Sequence, residues 1–280
     1  MHQKIDNNSY NTNCQALVMN NIIIPQLKPI TIPILLSKTS LSSFPVNRIY
    51  CIGRNYKEHA IEMGHDPNKE PPFFFMKPAD SIIVSHPANS NNNNNNNNNN
   101  MTNVPYPPKT KSLHYEAELV IAIGKDGLHI PINKANEYIF GYCIGCDLTR
   151  RDLQKQAKEL RRPWTTAKAF DYSAPMGYII PKDEATTPCP TTLEVLLPSN
   201  APITLSVNGT MKQCSTIDQM IWNIPELISN ISSYVRLKAG DLIMTGTPAG
   251  VSSLNVGDCV EIECGGLPKC TFTIGDPETE

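Results

Sequence analysis

The chain has 280 residues, a formal net charge of −2, 40% hydrophobic residues and only 18% charged ones. That length suffices for one large domain or two small ones, with a full core, and the near balance of charge, without a long basic run, argues against nucleic acid as a partner. No stretch approaches the ~18 uninterrupted apolar residues of a membrane-spanning helix; the best, Ile22 to Leu36, is broken by Pro25, Lys28, Pro29 and Pro33.

Residues 1–45 are rich in Asn, Ser and Pro and carry a single acid, Asp6. They are expected to form an N-terminal extension, either disordered or a transit peptide, although no Arg-rich amphipathic stretch is present. The first alternative suits a cytosolic protein and the second a mitochondrial one. The folded unit is expected over 46–275. Arg48 to Gly53 reads as a strand, followed by a short helix carrying His59 and Glu62. Residues 89–103 contain ten consecutive Asn, Asn91 to Asn100. Such a run has no apolar surface to bury and predicts a disordered insertion in a surface loop.

Tyr115 to Gly124 and Tyr138 to Cys146 read as strands. Thr149 followed by Asp152 predicts a capping box opening a helix that ends by Pro163. Asn208-Gly209 between Ile203–Val207 and Met211–Cys214 is a hairpin signal. The apolar spacing from Ile217 to Val235 predicts a helix, kinked or broken at Pro225. Asp241 to Thr245, 258–264 and 269–274 read as further strands. The sum is one α+β domain, mostly β. Its nine cysteines, an odd number, are too scattered for a disulfide framework. The Cys143-x-x-Cys146 pair reads as reduced core thiols.

Glu116 and Glu118 project from one face of a strand, because the side-chain period is two. Like charges so close repel, and burial would raise the cost. Either that face is wet or a cation lies between the carboxylates, and Val120 and Ala122 on the same face do not suit a solvated one. Asp147 ends the next apolar strand; it either stabilises a turn or joins the two glutamates. Three carboxylates without His or Cys make an all-oxygen site suited to Mg²⁺ or Mn²⁺ rather than zinc. His59 and Glu62, at i and i+3, form either an oriented base or a surface ion pair.

Six segments then carry a resemblance: C-I-G-R-N-Y-x-x-H-x-x-E (51–62), F-x-K-P (75–78), H-Y-E-A-E-L (114–119), G-x-D-L-T-x-R-D-x-Q (145–154), W-T-x-A-K-x-F-D (164–171) and G-D-L-I-M-T-G-T-P-x-G-V (240–251). In this order they resemble the fumarylacetoacetate hydrolase superfamily, and most of all its acylpyruvase/oxaloacetate decarboxylase branch. The resemblance implies layered mixed β-sheets with short flanking helices, and a homodimer. It implies Mg²⁺, with Mn²⁺ as an alternative, on Glu116, Glu118 and Asp147, and a water-activating dyad of His59 and Glu62. Arg151, Gln154 and Lys168 would face the oxygens of a small 2-oxo acid, and Thr247 its carboxylate. The implied chemistry is acylpyruvate hydrolysis and oxaloacetate decarboxylation. Keto–enol tautomerisation of oxaloacetate on the same residues is the alternative.

Overall fold

The computed structural model describes residues 28–35, 41–64, 66, 70–86, 101–182 and 197–279. Strand β8 (Ala117–Ile123) is the axis of the molecule. Its residues alternate between two separate cores: Ala117, Leu119, Ile121 and Ile123 belong to the larger and Val120 and Ala122 to the smaller. A strand buried on both faces reads as a continuous apolar run, which is why the face carrying the glutamates does not look solvated. Neighbours on each side hold β8 in register. Antiparallel β9 (Ile139–Cys146) sets Ala117 opposite Cys146, and β15 (Leu242–Met244) sets Met244 opposite Val120.

These three strands form the middle of the main sheet. Beyond β15 lie β3 (Ile49–Gly53), parallel to it, and the edge strand β4 (Phe73–Lys77); beyond β9 lie β11 (Ala174–Met176) and β5 (Ile82–Val84). A second sheet contains β13 (Pro202–Val207), β14 (Thr210–Thr216), β17 (Cys259–Cys264), β18 (Cys270–Gly275) and β6 (Thr102–Pro105). Ile203, Leu205, Val260, Ile262 and Phe272 of this sheet meet the Leu119 face of β8 in the larger core. The expected layered, mostly β α+β architecture is observed. Among the described residues four short α-helices flank it: α1 (Lys57–Glu62), α2 (Arg151–Glu159), α3 (Thr165–Lys168) and α4 (Ile224–Tyr234).

Two strands lie upstream of position 46, within the expected extension. Strands β1 (Thr31–Leu35) and β2 (Leu41–Pro45) form a hairpin. Ile32, Ile34 and Phe44 from it cover the smaller core, and Leu35 N donates to Ile179 O at 2.9 Å. Burying each such side chain contributes about 1.5–3 kcal/mol, so this part of the extension is structural. Residues 1–27 and the Asn run lie outside the described residues, whereas Thr102 and Asn103, assigned to the loop insertion, pair in β6.

The turn at Asn208-Gly209 forms as expected, with φ of 51° and 74°. Both central residues thus take the left-handed conformation that suits a two-residue hairpin. The predicted caps differ. Thr149 lies in β10 (Thr149–Arg150), paired with β7 (Leu113–His114), and Asp152 accepts from Thr110 Oγ1 at 2.6 Å and Lys111 N at 3.0 Å instead of completing a box. The capping box stands at α4, where Asn223 and Glu226 exchange bonds of 3.0 and 2.9 Å. Pro225 occupies the first turn of α4, where its missing N–H costs nothing, and so starts the helix rather than kinking it. Cys143 and Cys146 are free and buried in different cores, as expected of reduced thiols.

Asp241, fully buried, clamps the approach to β15. It accepts from Asn47 Nδ2 at 2.8 Å, Arg48 Nη2 at 2.7 Å and Lys238 N at 2.8 Å. Asp241→Ala strands these donors and is expected to destabilise the fold by about 2–4 kcal/mol in urea unfolding. A loss below half a kcal/mol would show that the clamp is dispensable.

Candidate functional site

The register of β8 with its neighbours delivers the acidic residues to one point. Glu116 and Glu118 flank the first residue of β8, and Asp147 follows the last residue of β9, its N donating to Glu116 O at 2.9 Å. One oxygen from each of the three lies within 4.8 Å of the others, and all three side chains are buried. Three anions in such a space require compensating charge. Lys168 Nζ, at the end of α3, supplies part of it, bonding Glu116 Oε2 at 2.8 Å, Asp147 Oδ2 at 2.7 Å and Thr149 Oγ1 at 2.6 Å. Arg151 Nη2 pairs with the other oxygen of Glu116. Lys77 Nζ lies 2.9 Å from Asp147 Oδ1, outside hydrogen-bonding geometry, and donates to the carbonyls of Leu148 and Lys168.

Glu118 is provided for differently. Its one hydrogen bond among the described residues comes from Gly246 N, at 2.7 Å. Burial, with Asp147 and Glu116 adding to it, pushes its carboxyl well above the usual range. Burial acts the same way on Glu116, but Lys168 and Arg151 overcome it and hold that carboxyl low. Lys168 stays charged because Asp147 and Glu116 outweigh its own burial. The cluster therefore has one carboxylate lacking a cationic partner, in a set of oxygen donors only. That donor chemistry fits a divalent metal of the Mg²⁺/Mn²⁺ kind.

The loop after β15 closes the site because β15 runs between β3 and β8. Gly246 has φ of 97°, and a Cβ there would stand 2.7 Å from that of Asn55. The tight turn aims Gly246 N at Glu118 and brings Thr247 to the cavity wall. Gln213 from the second sheet fixes Thr247: its Nε2 donates to Thr247 Oγ1 at 2.8 Å and Pro248 O at 2.7 Å, while its Oε1 accepts from Ala117 N at 3.0 Å.

His59 is 6% exposed on α1, which rules out the surface ion pair. Its Nδ1 lies 3.0 Å from Glu62 Oε2, and Glu62 Oε1 accepts from Gly250 N at 3.1 Å. His59, Glu116, Glu118, Arg151, Gln154, Lys168 and Thr247 all line one cavity of about 400 Å³ including its mouth; Glu62 stands behind His59. Trp164 joins this wall, whereas the neighbouring Arg161 and Arg162 are exposed. Sequence reasoning brought these residues together but assigned nothing to Lys77, Gln213 or Lys158. Lys77 carried a visible signal, a lysine closing the aromatic strand Phe73–Lys77.

In metal-free protein, Glu118→Gln removes a buried like charge while keeping an acceptor for Gly246 N. It should hold or raise the calorimetric midpoint of unfolding. Lys168→Met leaves two buried carboxylates short of a partner and should cost about 3–5 kcal/mol. The reverse order of the two variants would refute this account of the charges.

Comparison with known proteins places this geometry. The family model described as fumarylacetoacetate (FAA) hydrolase C-terminal matches residues 48–275. A fumarylpyruvate hydrolase of a Ralstonia species is 36% identical over 76% of this chain and 97% of its own. A mitochondrial oxaloacetate decarboxylase of Dictyostelium discoideum is 36% identical over 79% and 89%, and a mitochondrial oxaloacetate tautomerase of Caenorhabditis elegans 34% identical over 80% and 93%. The crystal structure of the Pseudomonas aeruginosa fumarylpyruvate hydrolase with Mn²⁺ and pyruvate superimposes with a TM-score of 0.79 at 40% identity, covering 91% of this chain and all of that one. With its sheets, its motifs and its acidic cavity all in that pattern, the chain belongs to the fumarylacetoacetate hydrolase family.

Proposed function

We propose that the protein is a Mg²⁺-dependent enzyme, with Mn²⁺ as an alternative metal, that cleaves the C3–C4 bond of small 2-oxo acids by acylpyruvate hydrolysis and oxaloacetate decarboxylation. The observation that carries this reading is a cluster of three buried carboxylates, two of which line a cavity shared with a buried lysine and a carboxylate-oriented histidine. The relatives named for fumarylpyruvate hydrolysis and oxaloacetate decarboxylation, and the related structure holding Mn²⁺ and pyruvate, support it.

Glu116, Glu118 and Asp147 hold the metal, which supplies Lewis acidity toward the keto and carboxylate oxygens of the substrate. Arg151 and Gln154, linked by a 2.7 Å bond, and Thr247, aligned by Gln213, orient those oxygens. In hydrolysis His59 takes a proton from water while Glu62 holds the ring in place. The hydroxide adds to the acyl carbonyl carbon and the C3–C4 bond breaks. Its electron pair passes into the pyruvate half, where Lys168 offsets the charge developing on the keto oxygen, and C3 then takes up a proton. Decarboxylation releases CO₂ and sends the electrons the same way without attack by water. A tautomerase reading needs His59 only to move the C3 proton, and the nematode relative's name favours keeping it as the alternative.

Two further properties belong to this proposal. A homodimer is supported by β4, an edge strand of the main sheet flanked by a groove of Phe73, Phe75, Met76, Pro163 and Trp164, with Met76 44% exposed. A mitochondrial location is supported by the names of the Dictyostelium and nematode relatives.

An NMR time course with acetylpyruvate or oxaloacetate should show pyruvate release that EDTA abolishes. Glu116→Ala should lose metal binding and turnover together; full turnover without that carboxylate would refute the reading. His59→Ala should lower acetylpyruvate hydrolysis by about 10²–10⁴-fold and spare oxaloacetate decarboxylation. Fast enol–keto equilibration of oxaloacetate with little pyruvate would instead establish the tautomerase.

A further inference from the structure

Among the described residues, one cation of the cavity has no anion to serve. On α2, Arg151, Gln154 and Lys158 stand at i, i+3 and i+7, a spacing that puts them on one helical face, and all three line the cavity. Arg151 is engaged by Glu116 and Lys168 by Glu116 and Asp147, while Arg54 at the same wall is held by Glu70. The Lys158 ammonium makes no hydrogen bond or ion pair with any of the described residues. Its Nζ rests 5.3 Å from the ring centre of Trp164, which Phe73 and Phe75 hold by ring contacts of 5.8 and 5.7 Å. An aromatic face is a weak substitute for a carboxylate. Burial, with Arg151 and Arg54 adding to it, lowers the pKa of Lys158, as befits an ammonium lacking a counter-ion.

The placement of Lys158 gives this surplus charge a direction. Seven residues of helix separate it from Arg151 by about 10 Å along the axis, so it stands away from the end where Arg151 meets Glu116. It also stands at a junction. An adjoining cavity of about 720 Å³, open to solvent, shares Met63, Arg151, Gln154 and Lys158 with the first and adds Lys155 and His114. The acid on this second wall, Glu62, is already occupied by His59 and Gly250. A substrate with its oxo-acid head at the carboxylate cluster would therefore present its far end to an unsatisfied ammonium.

We propose that Lys158, resting on Trp164, is a specificity-determining residue that binds a second carboxylate at the acyl end of the substrate, so that the site prefers 2-oxo dicarboxylic acids to 2-oxo acids with a neutral tail. This rests on the 2-oxo acid reading above and adds to it which acyl ends are selected. The anion displaces the ammonium from the indole face and forms an ion pair shielded by the wall around it.

The test is calorimetric titration of Mn²⁺-loaded protein with 2-oxoadipate and 2-oxohexanoate. They have equal chain length, differ by one carboxylate, and lack the C4 carbonyl that cleavage needs. The wild type should bind 2-oxoadipate at least about tenfold more tightly. Lys158→Met should bring the two ligands within about threefold through loss of 2-oxoadipate affinity, and Lys158→Arg should retain most of the preference. A metal-induced rise in thermal midpoint equal to wild type confirms that a variant is folded. If wild-type protein binds both ligands equally, or Lys158→Met weakens both alike or leaves the ratio unchanged, this inference falls and the 2-oxo acid reading stands. If neither ligand binds the metal-loaded wild type, both fall together.

Discussion

Three buried carboxylates within 4.8 Å of one another would push the chain apart if left to themselves. Much of the structure around them resolves that repulsion. Lys168 bridges two, Lys77 and Arg151 flank them from β4 and α2, and the Gly246 amide reaches the third. Glu118 keeps the least compensated position, which leaves the cluster electrically prepared for a divalent ion. The same lysine that balances the acids also lines the cavity, so compensating the buried charge and shaping the site are one arrangement.

That arrangement depends on register. A slip of one residue between β8 and β9 would turn every side chain of β8 to the opposite face. Glu118 would then enter the larger core. Burial of both faces of β8 opposes such a slip, because Leu119 and Val120 would each have to exchange cores. The β1–β2 hairpin contributes by covering the smaller core and so making that face of β8 interior.

Much of this was legible in the sequence because the signals are short-range. The alternation of Glu116 to Ile123 announced a strand with paired carboxylates, Asn208-Gly209 announced its turn, and the ordered motifs from Cys51 to Val251 carried the family and the site. What failed depends on partners distant in the chain. Thr149 and Asp152 have the spacing of a capping box, but strand pairing with His114 took the first and Thr110 the second. Thr31 to Leu35 looked like part of a proline-broken extension, and only the core waiting beneath it made it a strand. Lys77 and Gln213 act through contacts 70 and 96 residues away, at Asp147 and Ala117, which no local pattern records.

The two oxygens of Glu62 are divided between His59 Nδ1 and the amide of Gly250. One carboxylate thus joins the helix carrying the histidine to the loop carrying Thr247. If α1 swings away, His59 loses its orienting partner in the same motion that frees the loop. The orientation of the imidazole and the position of the Thr247 wall are therefore kept or lost together. If His59 is the base proposed above, the coupling makes closure a safeguard: a 2-oxo acid meets an aligned base only inside a completed cavity.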